Sequence, residues 1–207
     1  GSFLEPFNPR QGENFEPVPG FHEGSAWNYT FYVPHDVMGL AQLMGGKKAF
    51  VTKLQKVFDE GLYDPANEPD IAYAYLFSYF KGEEWRTQKT VHELLEKYYT
   101  TRPNGLPGND DTGTMSAWAI FSMMGFYPDC PGKAEYTLTS PRFDRIEIKL
   151  APEYCEGENK LVIKCSRTSG EGWKKIGSVK LSGKTLPSLR VSHKDLVKGG
   201  LLEFRCR

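Results

Sequence analysis

The sequence lacks three features that would indicate a membrane, a nucleic acid or a cysteine-bound metal as its partner. No apolar run approaches the roughly 20 residues of a membrane-spanning helix. Lys and Arg (26) balance Asp and Glu (26), so the net charge gives no reason to expect nucleic acid. Cysteines number only four, and none has the CxxC spacing of a metal site. We therefore expect no membrane span, no nucleic-acid partner and no cysteine-bound metal.

The four cysteines are few enough to be considered one by one. Free, partly buried thiols are the simplest interpretation of all of them, because a free cysteine packs like a small apolar side chain. Cys155 and Cys165 are also candidates to face each other across a hairpin. The others are Cys130 and Cys206.

Apolar residues recur at helical spacing in the first part of the chain. In Lys47–Asp59 and Trp85–Tyr99 they fall on one face of a helix. Ala72–Phe80 and Thr114–Met124 are further helix candidates, rich in aromatic residues or methionine. The pattern predicts several helices before residue 130.

The pattern changes near Pro131–Pro141. Arg145–Leu150 alternates between polar and apolar residues, as do parts of Lys160–Cys165, and glycines interrupt the sequence between such runs. We therefore predict an α+β fold, with helices in residues 1–130 and a small antiparallel β region in residues 131–207.

Two adjacent carboxylates stand out in Gly105–Trp118. Asp110 and Asp111 lie between Gly108 and Gly113, just before an apolar segment that predicts a helix. An acid at a helix start often caps free backbone N–H groups. One interpretation is therefore a helix cap with a spare acid, and the other is a pair of functional carboxylates.

A third acid, Glu23, lies in an aromatic stretch. Its neighbours along the chain include Phe21, Trp27 and Tyr29. A partly dry aromatic environment disfavours the charged carboxylate and raises its pKa, as a general acid at neutral pH requires. The alternative is a buried aromatic turn with one exposed Glu.

Together these segments resemble glycoside hydrolase family 92, the calcium-dependent exo-acting α-mannosidases. The resemblance spans nearly the whole chain, with several motifs in the family's order. Those motifs are Phe21–Asp36, Asn67–Asp70, Trp85–Gln88, Gly108–Trp118 with Gly125–Pro128, Ser140–Asp144, Leu181–Lys184, His193 and Gly199–Gly200.

The resemblance implies that this sequence corresponds to the C-terminal portion of a longer enzyme. Family members are several times longer and place a β-sandwich domain and most of an (α/α)6 barrel before the matching part. The helices of residues 1–130 would then belong to that barrel, and the missing β-sandwich and barrel helices would be partners of this chain. A periplasmic or secreted location is implied as well. We expect the 207-residue chain alone to have little or no activity.

The resemblance also implies the chemistry. Family 92 enzymes release terminal α-linked mannose from glycans with inversion, and the α-1,2 linkage is the expected substrate. Inversion uses one protonated carboxyl and one carboxylate that activates water. Glu23 matches the family's general acid and Asp111 its general base. Some members carry a second Asp two residues before the base, where this sequence has Asn109, so Asp111 would act alone or with Asp110.

Calcium is the implied cofactor, and it prefers oxygen ligands. Asn67 and Glu68 match residues that line the calcium subsite, although an ordinary turn that starts the next helix also explains them. The residues expected to bind substrate are His22, Trp27, Glu68, Asn109 and Asp110.

Two other functions remain open at this point. One is a non-catalytic carbohydrate-binding fragment that kept the sugar-facing residues. The other is a different (α/α)6 glycosidase or phosphorylase, which phosphate dependence of turnover would reveal.

Overall fold

The computed structural model describes residues 5–13, 16–17, 20–155, 157–169 and 172–207. The chain divides into two compact units, Gly1–Tyr73 and Ala74–Arg207. Helices and strands are both present, so the predicted α+β class is confirmed. The (α/α)6 barrel and the boundary between residues 130 and 131 stay predictions. Within the described residues, no helix is both long and apolar enough to cross a membrane.

The first unit is built from short helices around an aromatic core. Helix α3 has the predicted bounds because its apolar residues form one buried face. The Phe31 ring packs edge to face against Phe50 and Tyr73, with centroids 5.0 and 5.4 Å apart. The elements are α1 (Ala26–Tyr29), α2 (Val37–Leu43), α3 (Lys47–Asp59) and a 3₁₀ turn (Glu68–Asp70).

Helices also begin the second unit. Helix α4 is Glu84–Tyr98 and α5 is Thr114–Met124, both close to the predicted bounds. The predicted helix over Ala72–Phe80 is present as Tyr73–Tyr79, and it is a 3₁₀ helix. Four of these seven residues are aromatic, and aromatic side chains lose rotamer freedom in an α-helix.

Two sheets follow α5. The smaller has the strand order β1-β2-β7 and is antiparallel. The larger has the order β3-β4-β8-β5-β6. The bounds are β1 (Phe126–Tyr127), β2 (Glu135–Leu138), β3 (Arg145–Lys149), β4 (Lys160–Arg167), β5 (Ile176–Leu181), β6 (Lys184–Thr185), β7 (Arg190–Ser192), α6 (His193–Leu196) and β8 (Gly200–Cys206).

The larger sheet corrects the prediction of an antiparallel β region. Strand β8 pairs parallel with β4 and antiparallel with β5. The reason is topological: β8 lies between two strands that run in opposite directions, so it must be parallel to one of them. Leu161, Ile163, Leu202 and Phe204 of β4 and β8 are almost fully buried and lie in the core of this unit.

Candidate active site

The backbone around Glu23 is held in a left-handed turn. Glu23 has a φ of 51°, which side-chain-bearing residues rarely adopt. The Tyr29 hydroxyl donates to the carbonyl of His22. The Asn67 amide donates to the carbonyl of Glu23 at 2.5 Å. Two successive carbonyls are therefore fixed, and surrounding structure that over-determines a residue is what keeps an unfavourable φ in place.

Gly24 is required by the packing behind this turn. A Cβ at this position would lie 3.0 Å from Asn67 Nδ2 and 3.2 Å from Asn28 Oδ1. Both amides are buried and hydrogen-bonded, so neither can move aside freely. A side chain here would require these two asparagines to shift by a few tenths of an ångström.

Helix α1 starts directly after this turn and is joined to the 3₁₀ turn by a buried polar network. The side-chain Oδ1 of Asn28 accepts from the Ser25 backbone amide at 2.8 Å, which completes a capping box. Asn28 Nδ2 donates to Asp70 Oδ2 at 3.0 Å. The Tyr73 hydroxyl donates to the backbone carbonyl of Asn28 at 2.6 Å. The network ties the residues after Glu23 to the Asn67–Asp70 motif.

Asp70 is the buried centre of this network, and sequence reasoning gave it no role. Its Oδ2 also accepts from the Asp64 amide at 2.8 Å, whereas Oδ1 has no hydrogen-bond partner among the described residues. Burial raises the pKa of Asp70 to about 8. This pKa favours the neutral, protonated carboxyl at pH 7, while Oδ2 accepts two N–H groups.

The Glu23 carboxyl itself lies in water rather than in an aromatic wall. Its side chain is 59% exposed, and Oε2 lies 3.8 Å from Nε2 of the exposed His22. The predicted dry environment is thus not formed by the described part of the first unit. The physical reason is that Phe31 packs into the core, while Phe21 and Tyr29 stack on each other at 5.5 Å.

Trp27, predicted to bind substrate, packs near α3. Lys53 and Lys56 place their ammonium groups 5.6 and 5.2 Å from the centroid of its ring. The same three side chains line an open groove of about 600 Å³. Cation–π contacts of this kind contribute modestly at exposed sites. The groove leaves room beside the ring, so the substrate-binding role of Trp27 stays a prediction.

In the second unit, the two adjacent acids adopt different roles. The Asp110 carboxylate accepts from the Ser116 amide at 2.8 Å and from the Ser116 hydroxyl at 2.7 Å, so it caps the start of α5. These hydrogen bonds lower the pKa of Asp110. Among the described residues, the hydrogen bonds of Asp111 are made by its backbone: its carbonyl accepts from the Thr112 and Thr114 hydroxyls at 2.6 and 2.7 Å. Its side chain is exposed.

The backbone at Asp111 is left-handed, like that at Glu23. Asp111, Thr112 and Gly113 have φ values of 34°, 58° and 86°. Three such residues in a row turn the chain sharply into α5. The turn points the Asp110 side chain at the helix start and leaves the Asp111 carboxylate outside the cap. The structure therefore shows the helix cap with a spare acid, and a functional role for the carboxylates stays a prediction.

Aromatic stacking anchors the ends of the loop that carries these acids. Tyr99, just after α4, stacks on Trp118 of α5 with centroids 5.4 Å apart. Within the loop, the Thr100 amide donates to the Gly105 carbonyl at 3.0 Å. A Cβ on Gly105 would lie 2.1 Å from the Thr100 carbonyl oxygen, so only glycine fits. Asn109, at the tip, is exposed.

The predicted calcium ligands are of the right chemical kind but too few. Asn67 is buried and its nitrogen already donates to Glu23, which leaves its carbonyl oxygen as a potential ligand. Glu68 is exposed. The described residues contain no cluster of three or more His, Cys, Asp or Glu that could hold a metal. Calcium takes six to eight oxygens, so these residues alone do not complete a site.

Glu23 lies in the first compact unit and Asp111 in the second. Their separation, for which inversion requires roughly 6.5–9.5 Å between carboxyl groups, stays a prediction. What the two share is local: each acid lies on a left-handed turn whose backbone is held by hydrogen bonds to neighbouring side chains.

Comparison with known proteins gives a consistent family. The glycosyl hydrolase family 92 catalytic domain matches residues 1–207. An uncharacterized secreted glycosidase of Arthroderma benhamiae is 30% identical over 183 residues, which are 88% of this chain and 23% of that protein.

Two solved structures from Bacteroides thetaiotaomicron match as well. A family 92 α-mannosidase in complex with mannoimidazole is 28% identical, with a TM-score of 0.87 over 100% of this chain and 29% of that one. A family 92 inverting mannosidase is also 28% identical, with a TM-score of 0.82 over 100% of this chain and 30% of that one. This chain therefore spans less than a third of the length of these relatives.

Proposed function

Because the chain belongs to glycoside hydrolase family 92, we propose that it carries the general acid and the general base of an inverting α-mannosidase. Glu23 is the acid that protonates the departing oxygen, and Asp111 is the base that activates water on the opposite face of the sugar. The substrate is a glycan with a terminal α-linked mannose, and we expect an α-1,2 linkage. The mannosidases among the structural relatives support this substrate class.

The observation that carries the proposal is the division of labour between Asp110 and Asp111. Asp110 is occupied by the start of α5, and its lowered pKa makes it a weak proton acceptor. Within the described part of the chain Asp111 is held through its backbone, which leaves its carboxylate available to a water molecule. This favours Asp111 acting as the only base of the pair, with Asp110 as the residue that fixes the loop on the helix.

The acid needs a different kind of support. A general acid must be protonated when substrate binds, and enclosure by apolar groups produces such a state. The exposed Glu23 side chain lacks that enclosure within its own unit. In this proposal the bound sugar and further residues of the longer enzyme supply it. The contribution of this chain is the position of Glu23, set by Asn67 and Gly24.

We further propose that activity requires calcium, with Asn67 and Glu68 supplying two of its oxygen ligands and other parts of the enzyme supplying the rest. When bound, the ion provides positive charge next to sugar hydroxyls. A secreted or periplasmic location accompanies this function, by analogy with the secreted relative.

The experiment is turnover of an aryl α-mannoside by the protein at its full natural length, with and without a calcium chelator. The proposal expects calcium-dependent hydrolysis in which proton NMR detects β-mannose as the first product. Binding of α-mannosides without turnover would indicate the non-catalytic function instead. Turnover that requires phosphate would indicate a phosphorylase. First release of α-mannose would contradict inversion.

A parallel assay tests how much of the site lies in this chain. The 207-residue chain is compared, per mole, with the full-length family 92 α-mannosidase of Bacteroides thetaiotaomicron. We expect turnover by the chain to be lower by orders of magnitude, because misplacement of a catalytic group by about 1 Å costs on the order of a hundredfold. Comparable turnover would contradict this expectation.

A further inference from the structure

Two of the four cysteines face each other inside the larger sheet. Cys165 lies on β4 and Cys206 on β8, two adjacent parallel strands in which Cys165 is paired with Phe204 and Cys206 with Arg167, so the two cysteines are diagonal neighbours. Burial alternates along both strands, and both thiols point to the core side with 5% and 3% exposure. Their sulfur atoms are 3.5 Å apart. The predicted facing of Cys155 and Cys165 is therefore wrong, because Cys155 lies in the loop between β3 and β4.

We propose that Cys165 and Cys206 are a modification site, at which oxidation forms a disulfide that joins β4 to β8. To reach the bonding distance of about 2.05 Å, the two sulfurs need to approach by about 1.5 Å. The partner is not interchangeable with the other cysteines. All four cysteines are free, but Cys130 and Cys155 are only partly buried, whereas Cys165 and Cys206 are buried; the Cys130 sulfur contacts the Pro131 carbonyl at 3.9 Å.

The chemistry is thiol–disulfide exchange with an external disulfide, such as glutathione disulfide or an oxidised dithiol protein. In the folded protein the two sulfurs lie within hydrogen-bonding distance, and either thiol can be the donor. Either cysteine, as its thiolate, attacks the external disulfide, forming a mixed disulfide and releasing one thiol. The other cysteine, after losing its proton, attacks the sulfur of the first and displaces the second thiol.

The electrons and protons balance in this exchange. The two protein thiols lose two electrons and two protons, and the external disulfide gains them to become two thiols. Because both sulfurs are buried, we expect exchange with a protein oxidant to take place before β8 docks against β4. A small disulfide can also react during transient local opening of the strand.

The bond would close a loop between residues that are 41 positions apart. A cross-link of this length restricts the unfolded chain, and we expect the oxidised protein to melt about 8–16 °C above the reduced one. The short sulfur–sulfur distance favours bond formation. Because Cys206 is paired with Arg167 rather than with Cys165, closing the bond also requires a small shift of the two strands.

The test equilibrates the purified protein with glutathione disulfide, unfolds it, alkylates the free thiols and analyses the tryptic peptides by mass spectrometry. The expected result is a cross-linked pair that contains Cys165 and Cys206 and has lost two hydrogen atoms, with Cys130 and Cys155 fully alkylated. Alkylation of all four cysteines would overturn the proposal. A cross-link that involves Cys130 or Cys155 would overturn it equally.

Cysteine variants distinguish a specific disulfide between Cys165 and Cys206 from general oxidation of the thiols. The double variant Cys130→Ser/Cys155→Ser keeps the proposed pair, and we expect it to show the same rise in melting temperature on oxidation. The variant Cys165→Ala should show no rise. If Cys165→Ala fails to fold, the double variant alone decides, since an unchanged melting temperature on oxidation there would contradict the proposal.

Discussion

Replacing the buried acid Asp70 with Asn should change how stability depends on pH. The carboxyl is fully buried and its pKa is raised to about 8, against 3.8 for an exposed Asp. Below pH 3.8 it is protonated in both the folded and the unfolded state, so its contribution to stability is fully present. Between pH 3.8 and about 8 the unfolded chain releases the proton while the folded protein retains it.

The magnitude follows from this difference of one bound proton. The free energy of unfolding should fall by about 1.4 kcal/mol for each pH unit in this window. Between pH 5 and pH 7 the loss is about 3 kcal/mol, a large part of the usual 5–15 kcal/mol stability of a domain. Asn has no proton to release, so Asp70→Asn should remove this slope. The amide retains an oxygen that can accept from the Asn28 and Asp64 nitrogens.

The assay is urea unfolding of the wild type and Asp70→Asn at pH 5, 6 and 7. The difference in unfolding free energy between the two proteins isolates this residue, because the other titrating groups are common to both. We expect that difference to move by about 3 kcal/mol in favour of the variant between pH 5 and 7. The matched control is Asp195→Asn, at an exposed acid whose pKa is lowered by the side chains of Lys198 and Ser192. The control should show no change between pH 5 and 7, because a carboxyl with a lowered pKa is ionised there in both the folded and the unfolded state. A difference that stays constant with pH in Asp70→Asn would refute the reasoning.

Three further predictions concern the turns that carry the acids. Gly24→Ala should destabilise the protein by about 1–2 kcal/mol in urea unfolding. Overpacking costs about 1–3 kcal/mol, which exceeds the gain of about 0.4–1 kcal/mol from a stiffer unfolded chain. A more stable variant would show that the asparagines move aside. Asn67→Ala should lower kcat more than it raises KM for α-mannosides, because it removes the hydrogen bond that holds the Glu23 carbonyl. An effect on KM alone would indicate a substrate-binding role. Asp110→Asn should keep the pH dependence of kcat/KM and lower the stability of α5. Asp111→Asn should lose turnover. Equal loss of turnover in both variants would mean that the two acids act as a pair.

Local pattern was enough to predict the three longest described helices, α3, α4 and α5, but not the short α1, α2 and α6. Helices α3 and α5 have the predicted bounds: the apolar residues of α3 form one face, and α5 lies between Gly113 and Gly125, both in left-handed conformation. The parallel pairing of β4 and β8 was not predictable in this way. Which strand fills the gap between β4 and β5 depends on contacts about 40 residues away, and the period-two pattern is the same for either pairing direction.

In the candidate site, too, local features were predictable from sequence and contacts between distant residues were not. The glycines around Asp110 and Asp111 indicated a turn before a helix, and the structure has one. Asp70 was missed because an acid that follows a proline in a turn is usually exposed. Its burial arises from Asn28, which is 42 positions away. The exposure of Glu23 was missed because its aromatic neighbours along the chain suggested an apolar environment. In the structure these rings pack into the core or on each other instead.

The central claim is that Glu23 acts as the acid and Asp111 as the base, and a two-substrate comparison tests it most directly. Glu23→Gln and Asp111→Asn are made in the protein at its full natural length, and kcat/KM is measured for a natural mannoside and for an aryl α-mannoside with a good leaving group. The proposal predicts that Glu23→Gln loses activity on the natural substrate and much less on the aryl substrate, because a good leaving group needs little protonation. Asp111→Asn should lose activity on both, because each needs an activated water. Equal losses on the two substrates in Glu23→Gln, or full activity in Asp111→Asn, would contradict the assignment.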